Sequence, residues 1–221
     1  MNRSNTLDLL KQGALVWNAW RMNNLEEKPD LSDADLSGCG LEFIDLHGLN
    51  LTRANFEGAD LHNANLRQSD LTDARLNLAD LINATFEEAT LVRTNLEGAD
   101  LYKTNFCRAK LHQAQLSKAL FRRSNLSESD LTEAQSHRAD FLQANLMRAN
   151  LMGANFQKAS FKGANLIEAN LTHTNLQDTN FAKANLCRAN LLHANIARTN
   201  FYEAYLSGAE LPEEISQDQE P

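Results

Sequence analysis

A five-residue beat constrains this chain more than any other feature in it. Residues whose numbers end in 1 or 6 form 37 successive positions from Leu31 to Leu211, with no insertion or deletion. All of them but Ser136 are Leu, Phe or Ile. Two residues before each one stands Ala, Thr or Ser in nearly every case, with Pro29, Cys39, Ile44 and Leu49 as early exceptions. A period of five suits neither ordinary element. On an α-helix, steps of five rotate by about 140° and scatter the leucines around the axis. On a strand, five is odd, so successive leucines switch faces. All can face one axis only if the chain turns a corner once per pentapeptide and stacks coil on coil at the spacing of paired strands, about 4.8 Å.

Correlations at twenty residues set four sides per coil. Phe121, Phe141, Phe161, Phe181 and Phe201 recur at that step, as do Phe86 and Phe106, whereas a step of fifteen gives no comparable run. Outward charges alternate at the same interval, through Glu88, Arg108, Glu128, Arg148, Glu168 and Arg188, and again through Asp33, Arg53, Asp73 and Arg93. Stacked coils turn each series into a column of opposite charges side by side. Glycine at the last position of a repeat, as at Gly38 and Gly58, suits a corner of positive φ. Because Lys, Arg and Glu share that position, two corner geometries are expected.

The motif Ala-(Asn/Asp)-Leu-X-X, running from Ala34-Asp35-Leu36 to Ala209-Glu210-Leu211, resembles that of the pentapeptide-repeat family over about four fifths of the chain. The resemblance implies an all-β solenoid, a right-handed quadrilateral β-helix of about nine coils, with the central and small residues inside. Trp17-Asn18-Ala19-Trp20-Arg21 resembles the helical cap found ahead of the repeats in some members. The expected division is therefore an N-terminal α-helical cap over 1–28, the β-helix over 29–211 and an acidic tail over 212–221. Leu7, Leu10, Ala14 and Trp17 carry a helical stripe. Ser4, Asn5 or Thr6 would cap its start, and Gly13 leaves one helix or two short ones open.

No stretch has the roughly 18 apolar residues of a membrane span, and no signal-peptide pattern opens the chain, so a cytoplasmic protein with no membrane association is expected. The net charge of −8 argues against direct nucleic-acid binding. It is unevenly spread: residues 29–100 carry 14 acidic against 4 basic side chains, and residues 101–211 carry 8 against 13. Cys39, Cys107 and Cys187 are too few and too scattered for a disulfide framework or zinc site.

An uninterrupted convex tower offers no sheltered concavity for catalysis. Neither catalytic residue nor cofactor nor metal is assigned, and the chain is read as non-enzymatic. The stacked His173 and His193 are read as a solvated pair. Two surfaces remain. Met147 and Ile167 share one outward column beside Cys187, with Leu142 and Met152 in the coil of Met147, and these four form a candidate surface for a protein partner of unknown identity. Glu57, Asp60, Asp80, Glu97 and Asp100 run up one corner of the acidic half. The family resemblance implies binding to partner proteins, regulation of cell differentiation by some cyanobacterial members, and protection of DNA gyrase by members that mimic DNA. The acidic corner would serve the last role. The open C-terminal end would allow a homodimer with a continuous core.

Overall fold

The computed structural model describes residues 3–212. Helix α1 spans Arg3–Leu10 and α2 spans Ala14–Asn23. They are separated at Gly13, whose φ of 98° belongs to a glycine and interrupts what the apolar stripe would otherwise continue. Ser4, Asn5 and Thr6, expected at the N-cap, lie within α1. No helix among the described residues is long and apolar enough to cross a membrane. Of the expected tail, all beyond Pro212 lies outside the described residues.

From Asp35 onward each side pairs in parallel with the residue twenty further on, Asp35 with Asn55, Gly40 with Asp60, and so on to Asn190 with Glu210. The result is a right-handed quadrilateral β-helix. At about 4.8 Å per coil, its nine-odd coils extend for about 45 Å.

The pentapeptide Leu51–Asn55 shows how the sequence satisfies this backbone. The Leu51 and Arg53 N–H groups donate to Asp70 and Thr72 carbonyls in the next coil, at 2.8 and 2.9 Å, while the Asn55 N–H donates to Ala34 in the previous coil at 2.8 Å. The Ala54 N–H closes the corner onto the Leu51 carbonyl at 3.0 Å. That leaves the Thr52 N–H, which donates to Oδ1 of Asn50 at 3.1 Å. Asparagine or aspartate before the central residue therefore answers the one amide that neither coil nor corner can reach. Its amide also runs up the rod: Asn125 Nδ2 donates to Asn105 Oδ1, Asn145 to Asn125 and Asn165 to Asn145, each at 3.0 Å.

All corners have one geometry, where two were expected. Every residue two after a central position, from Asp33 to Gly208, has φ between 54 and 71°. With the Leu51–Ala54 type of hydrogen bond, this is a type II turn at each corner. Non-glycine residues occupy most of these left-handed positions, at a cost of roughly 1–2 kcal/mol each. The coil-to-coil hydrogen bonds on both sides of the corner impose it.

The interior is apolar and layered. Phe121 over Phe141 and Phe141 over Phe161 stack with centroids 4.7 Å apart and planes within 8°. Phe86 and Phe106 stack likewise at 4.8 Å. Serines and threonines at the small inward position are buried with their hydroxyls bonded to carbonyls, as in Ser124 to Phe121 at 2.7 Å and Thr179 to Phe156 at 2.8 Å. Ser136 is different. It is fully buried at a central position and its Oγ has no partner. The Phe156 ring one coil up lies 5.1 Å from Phe161 in its own coil and 5.8 Å from Phe141 in the coil of Ser136, edge-on to both. The ring stays at the level of its own coil, above the position where a leucine at 136 would stand.

Helix α2 closes the first coil. Trp17 Nε1 donates to the Asp45 carbonyl at 2.7 Å, and Arg21 Nη2 donates to that of His47 at 2.9 Å. Asn18 takes the Asp45 N–H at 2.8 Å and gives its own amide to the Phe43 carbonyl at 2.9 Å. These are the edge groups that would otherwise await another coil.

Candidate interaction surface

Because the central and small residues serve the core and the residue before the central one is tied to the backbone by one oxygen, surface chemistry falls chiefly to the two positions after each central residue and to the free side-chain atoms of the one before it. They rise in straight columns at twenty-residue intervals. The second of the two carries the ionic ladders. Arg53 meets Asp33 at 2.6 Å, Arg93 meets Asp73 at 2.6 Å and Arg198 meets Asp178 at 2.6 Å, each from one coil to the next. Glu168 lies between Arg148 at 2.8 Å and Arg188 at 3.4 Å. Hydrogen bonds from Arg93, Arg148 and Arg198 hold the carboxyls of Asp73, Glu168 and Asp178 below the usual carboxylate range. Exposed to solvent, these pairs add little to stability and mainly fix register.

The four apolar candidates divide between edges. Met147 and Ile167 are half-buried and stand one coil apart in one column, since the Arg148 N–H donates to the Ile167 carbonyl at 2.9 Å. Leu142 is half-buried and Met152 is 40% exposed. They occupy the corresponding places on the sides before and after, so the square section turns them away from Met147. The largest exposed apolar groups lie elsewhere, at Leu15, Met22, Leu25, Phe43, Leu78, Tyr202 and Tyr205. Sequence reasoning passed over these. Leu15 and Met22 are seven apart on α2, a spacing that puts them on one outward helix face.

Of the acidic candidates, Glu57 and Glu97 share one column, and both have cations: Arg75 binds Glu57, and Lys118 Nζ is 3.3 Å from Glu97. Asp60, Asp80 and Asp100 stack in the adjacent column, where bridges pair 60 with 80 and 80 with 100. Their Oδ1 atoms each accept a backbone N–H, from His62, Ile82 and Tyr102, all at 3.0 Å. The imidazole of His62 sits beside them, with Nδ1 3.8 Å from Asp80. His62 shares no column with another histidine and so carries no histidine-pair signal in the sequence. The signal was its place two after Asp60 and eighteen before Asp80.

His173 and His193 stack at 4.8 Å. The three cysteines are free, with Cys39 packed against the core. A hollow lined by Arg93, Gln113, Gln115, Glu133, Gln135 and Gly153 is open to solvent and presents amides and single charges, with no nucleophile.

Eight overlapping copies of the pentapeptide repeat are recognised, the first over residues 30–68 and the last over 179–213. Among solved structures the chain is similar to HetL, a pentapeptide repeat protein involved in heterocyst differentiation regulation from the cyanobacterium Nostoc sp. strain PCC 7120. Identity is 32% over 84% of this chain and 88% of that one, with a TM-score of 0.62. A trypsin-treated variant of QnrB1, a plasmid-mediated fluoroquinolone resistance protein, is 14% identical over 82% of this chain and 91% of its own, with a TM-score of 0.52. That likeness is one of fold. No curated protein sequence matches. With the repeat recognised along nearly the whole tower and a relative a third identical over most of both chains, this chain belongs to the pentapeptide-repeat family.

Proposed function

We propose that this protein is a non-enzymatic scaffold, a rigid rod that binds a protein partner in a regulatory setting. One observation carries the reading: an unbroken tower in which the inward groups are spent on core and backbone, so that only fixed outward columns are left to act. The similarity to HetL, itself described as involved in regulating differentiation, supports the regulatory part. The Met147–Ile167 edge is the apolar contact point, flanked on neighbouring sides by Leu142 and Met152. Affinity capture from the native cell with the wild type and with a Met147→Glu, Ile167→Glu pair tests this. A partner recovered by the wild type should be lost by the pair while circular dichroism stays unchanged, and equal recovery would remove this edge from consideration.

A second reading, DNA mimicry toward DNA gyrase or another DNA-binding protein, draws on the column of Asp60, Asp80 and Asp100. A DNA-binding saddle is built to neutralise such charge. Against it, Arg75 and Lys118 already neutralise Glu57 and Glu97. Gyrase supercoiling in the presence of excess protein decides the matter, since a mimic must inhibit the enzyme or protect it. For assembly, the last coil bears Tyr202 and Tyr205, each 65% exposed, and this end is proposed as the seat of a homodimer. Solution scattering at low and high salt should then give the same dimer mass, because an apolar stack of ends survives screening and a charge-driven contact does not.

A further inference from the structure

The column that contains Asp60, Asp80 and Asp100 breaks the rule that governs its neighbours. In the two neighbouring columns an aspartate is answered by the coil above: Asn55 Nδ2 donates to Asp35 Oδ1 at 3.0 Å, and Asn65 Nδ2 to Asp45 Oδ1 at 2.8 Å. Asp60 lies under Asp80, and Asp80 under Asp100. A carboxylate has no N–H to offer, so the amide ladder is replaced by like charges held one coil apart. An imidazole is set into the same place. One ligand atom from each of Asp60, His62 and Asp80 can be chosen so that all lie within 4.8 Å of one another. Beneath Asp60 the column holds Gly40, and the vacancy is used: a Cβ at Gly40 would lie 3.2 Å from Oε2 of Glu42, whose carboxylate folds over that backbone.

From this arrangement we infer a divalent-cation site formed by Asp60, His62 and Asp80, with Glu42 as a neighbouring carboxylate. Two oxygen donors and one imidazole suit a first-row cation of the Zn²⁺ or Mn²⁺ kind and are a poor match for Mg²⁺, which prefers oxygen alone. A zinc centre with bonds of about 2.0–2.2 Å needs its ligand atoms about 3.3–3.6 Å apart, a closure that rotation of half-exposed side chains can supply. Asp60 and Asp80 come ready oriented. Each has one oxygen fixed by a backbone N–H at 3.0 Å, leaving the other free to bind. Three protein ligands leave positions for water or for a donor from a bound protein. A cation here would also cancel the charge that the DNA-mimic reading needs.

The test is titration of the full, untagged chain with Zn²⁺, Mn²⁺ and Mg²⁺ separately, followed by calorimetry and by competition with a chromophoric chelator. The expected result is one Zn²⁺ per chain, with Mn²⁺ weaker and Mg²⁺ weakest. The Asp80→Asn and His62→Gln variants should bind Zn²⁺ at least about tenfold more weakly. Asparagine is the commonest occupant of the Asp80 position in the rod, so that variant keeps the fold and separates loss of ligand from loss of structure. The assignment is overturned if the wild type fails to take up Zn²⁺ stoichiometrically, or if the folded Asp80→Asn variant binds as tightly as the wild type.

Discussion

Replacing Ser136 by alanine should stabilise this protein. The hydroxyl is fully buried and unpaired, whereas the buried serines and threonines at small inward positions such as Ser124 and Thr179 reach a carbonyl. Leaving a buried polar group unsatisfied costs about 1–3 kcal/mol. Alanine removes that penalty and gives up one oxygen's dispersion contacts, worth about 0.1–0.2 kcal/mol apiece. The net expectation is a gain of about 1 kcal/mol. Leucine, the usual occupant, would add about 0.8 kcal/mol per buried methylene. It must also fit beneath the Phe156 ring one coil up and beside Phe141, and overpacking costs about 1–3 kcal/mol. Ser136→Leu should therefore gain no more than Ser136→Ala. Urea denaturation followed by circular dichroism reads both, as a higher midpoint at unchanged slope. A changed slope would signal loss of cooperativity along the repeat array. An alanine variant equal to or less stable than the wild type would refute the reasoning, because it would mean that the hydroxyl is satisfied.

Asn145→Ala removes a side chain that donates to Asn125, accepts from Asn165 and receives the Met147 N–H, and should lower stability by about 2 kcal/mol in the same urea experiment. Lys158→Ile places a β-branched residue at φ 60° and should cost at least about 1 kcal/mol more than Lys158→Gly, which relaxes the corner; equal midpoints would count against the imposed left-handed geometry. The depressed carboxyls of Asp73, Glu168 and Asp178 contribute stability fully above the unfolded carboxylate range. That contribution is lost as pH falls through their lower folded values. Urea midpoints should thus hold level down to about pH 5 and decline below about pH 4, less steeply in high salt.

Much of the fold is legible because position modulo twenty is position in space. The Phe121–Phe201 stack and the Arg93–Asp73 ladder both follow from counting. The uniform corner was also written in the chain, in a quieter way. No Val, Ile, Thr or Pro occurs at the left-handed position from Asp33 to Gly208, while Thr72, Ile82 and Val92 sit one residue earlier. Attention to which residues are present, chiefly glycine and charge, concealed what is excluded. The role of Asn50 as acceptor for Thr52 was hidden differently, since it depends on knowing which amide the corner leaves over. For the surface, counting correctly stacks Met147 under Ile167 and Asp60 under Asp80. Exposure is another matter: Met147 and Ile167 are half-buried against neighbouring coils, and that shading is three-dimensional. His62 was missed because its partners belong to two different intervals, the local turn and the coil.

The hydrogen bonds that join coil to coil, such as Leu51 to Asp70 and Asn55 to Ala34, all lie along the rod rather than across it. Tension applied at the two ends therefore loads them one corner at a time, as a zip and not as a clamp. Each released coil of twenty residues would pay out about 70 Å of chain at the length of extended backbone. The same ladder that makes the tower stiff in compression would yield in tension by steady unwinding, and the neighbour left behind would keep its own corners and serve as the template for rewinding.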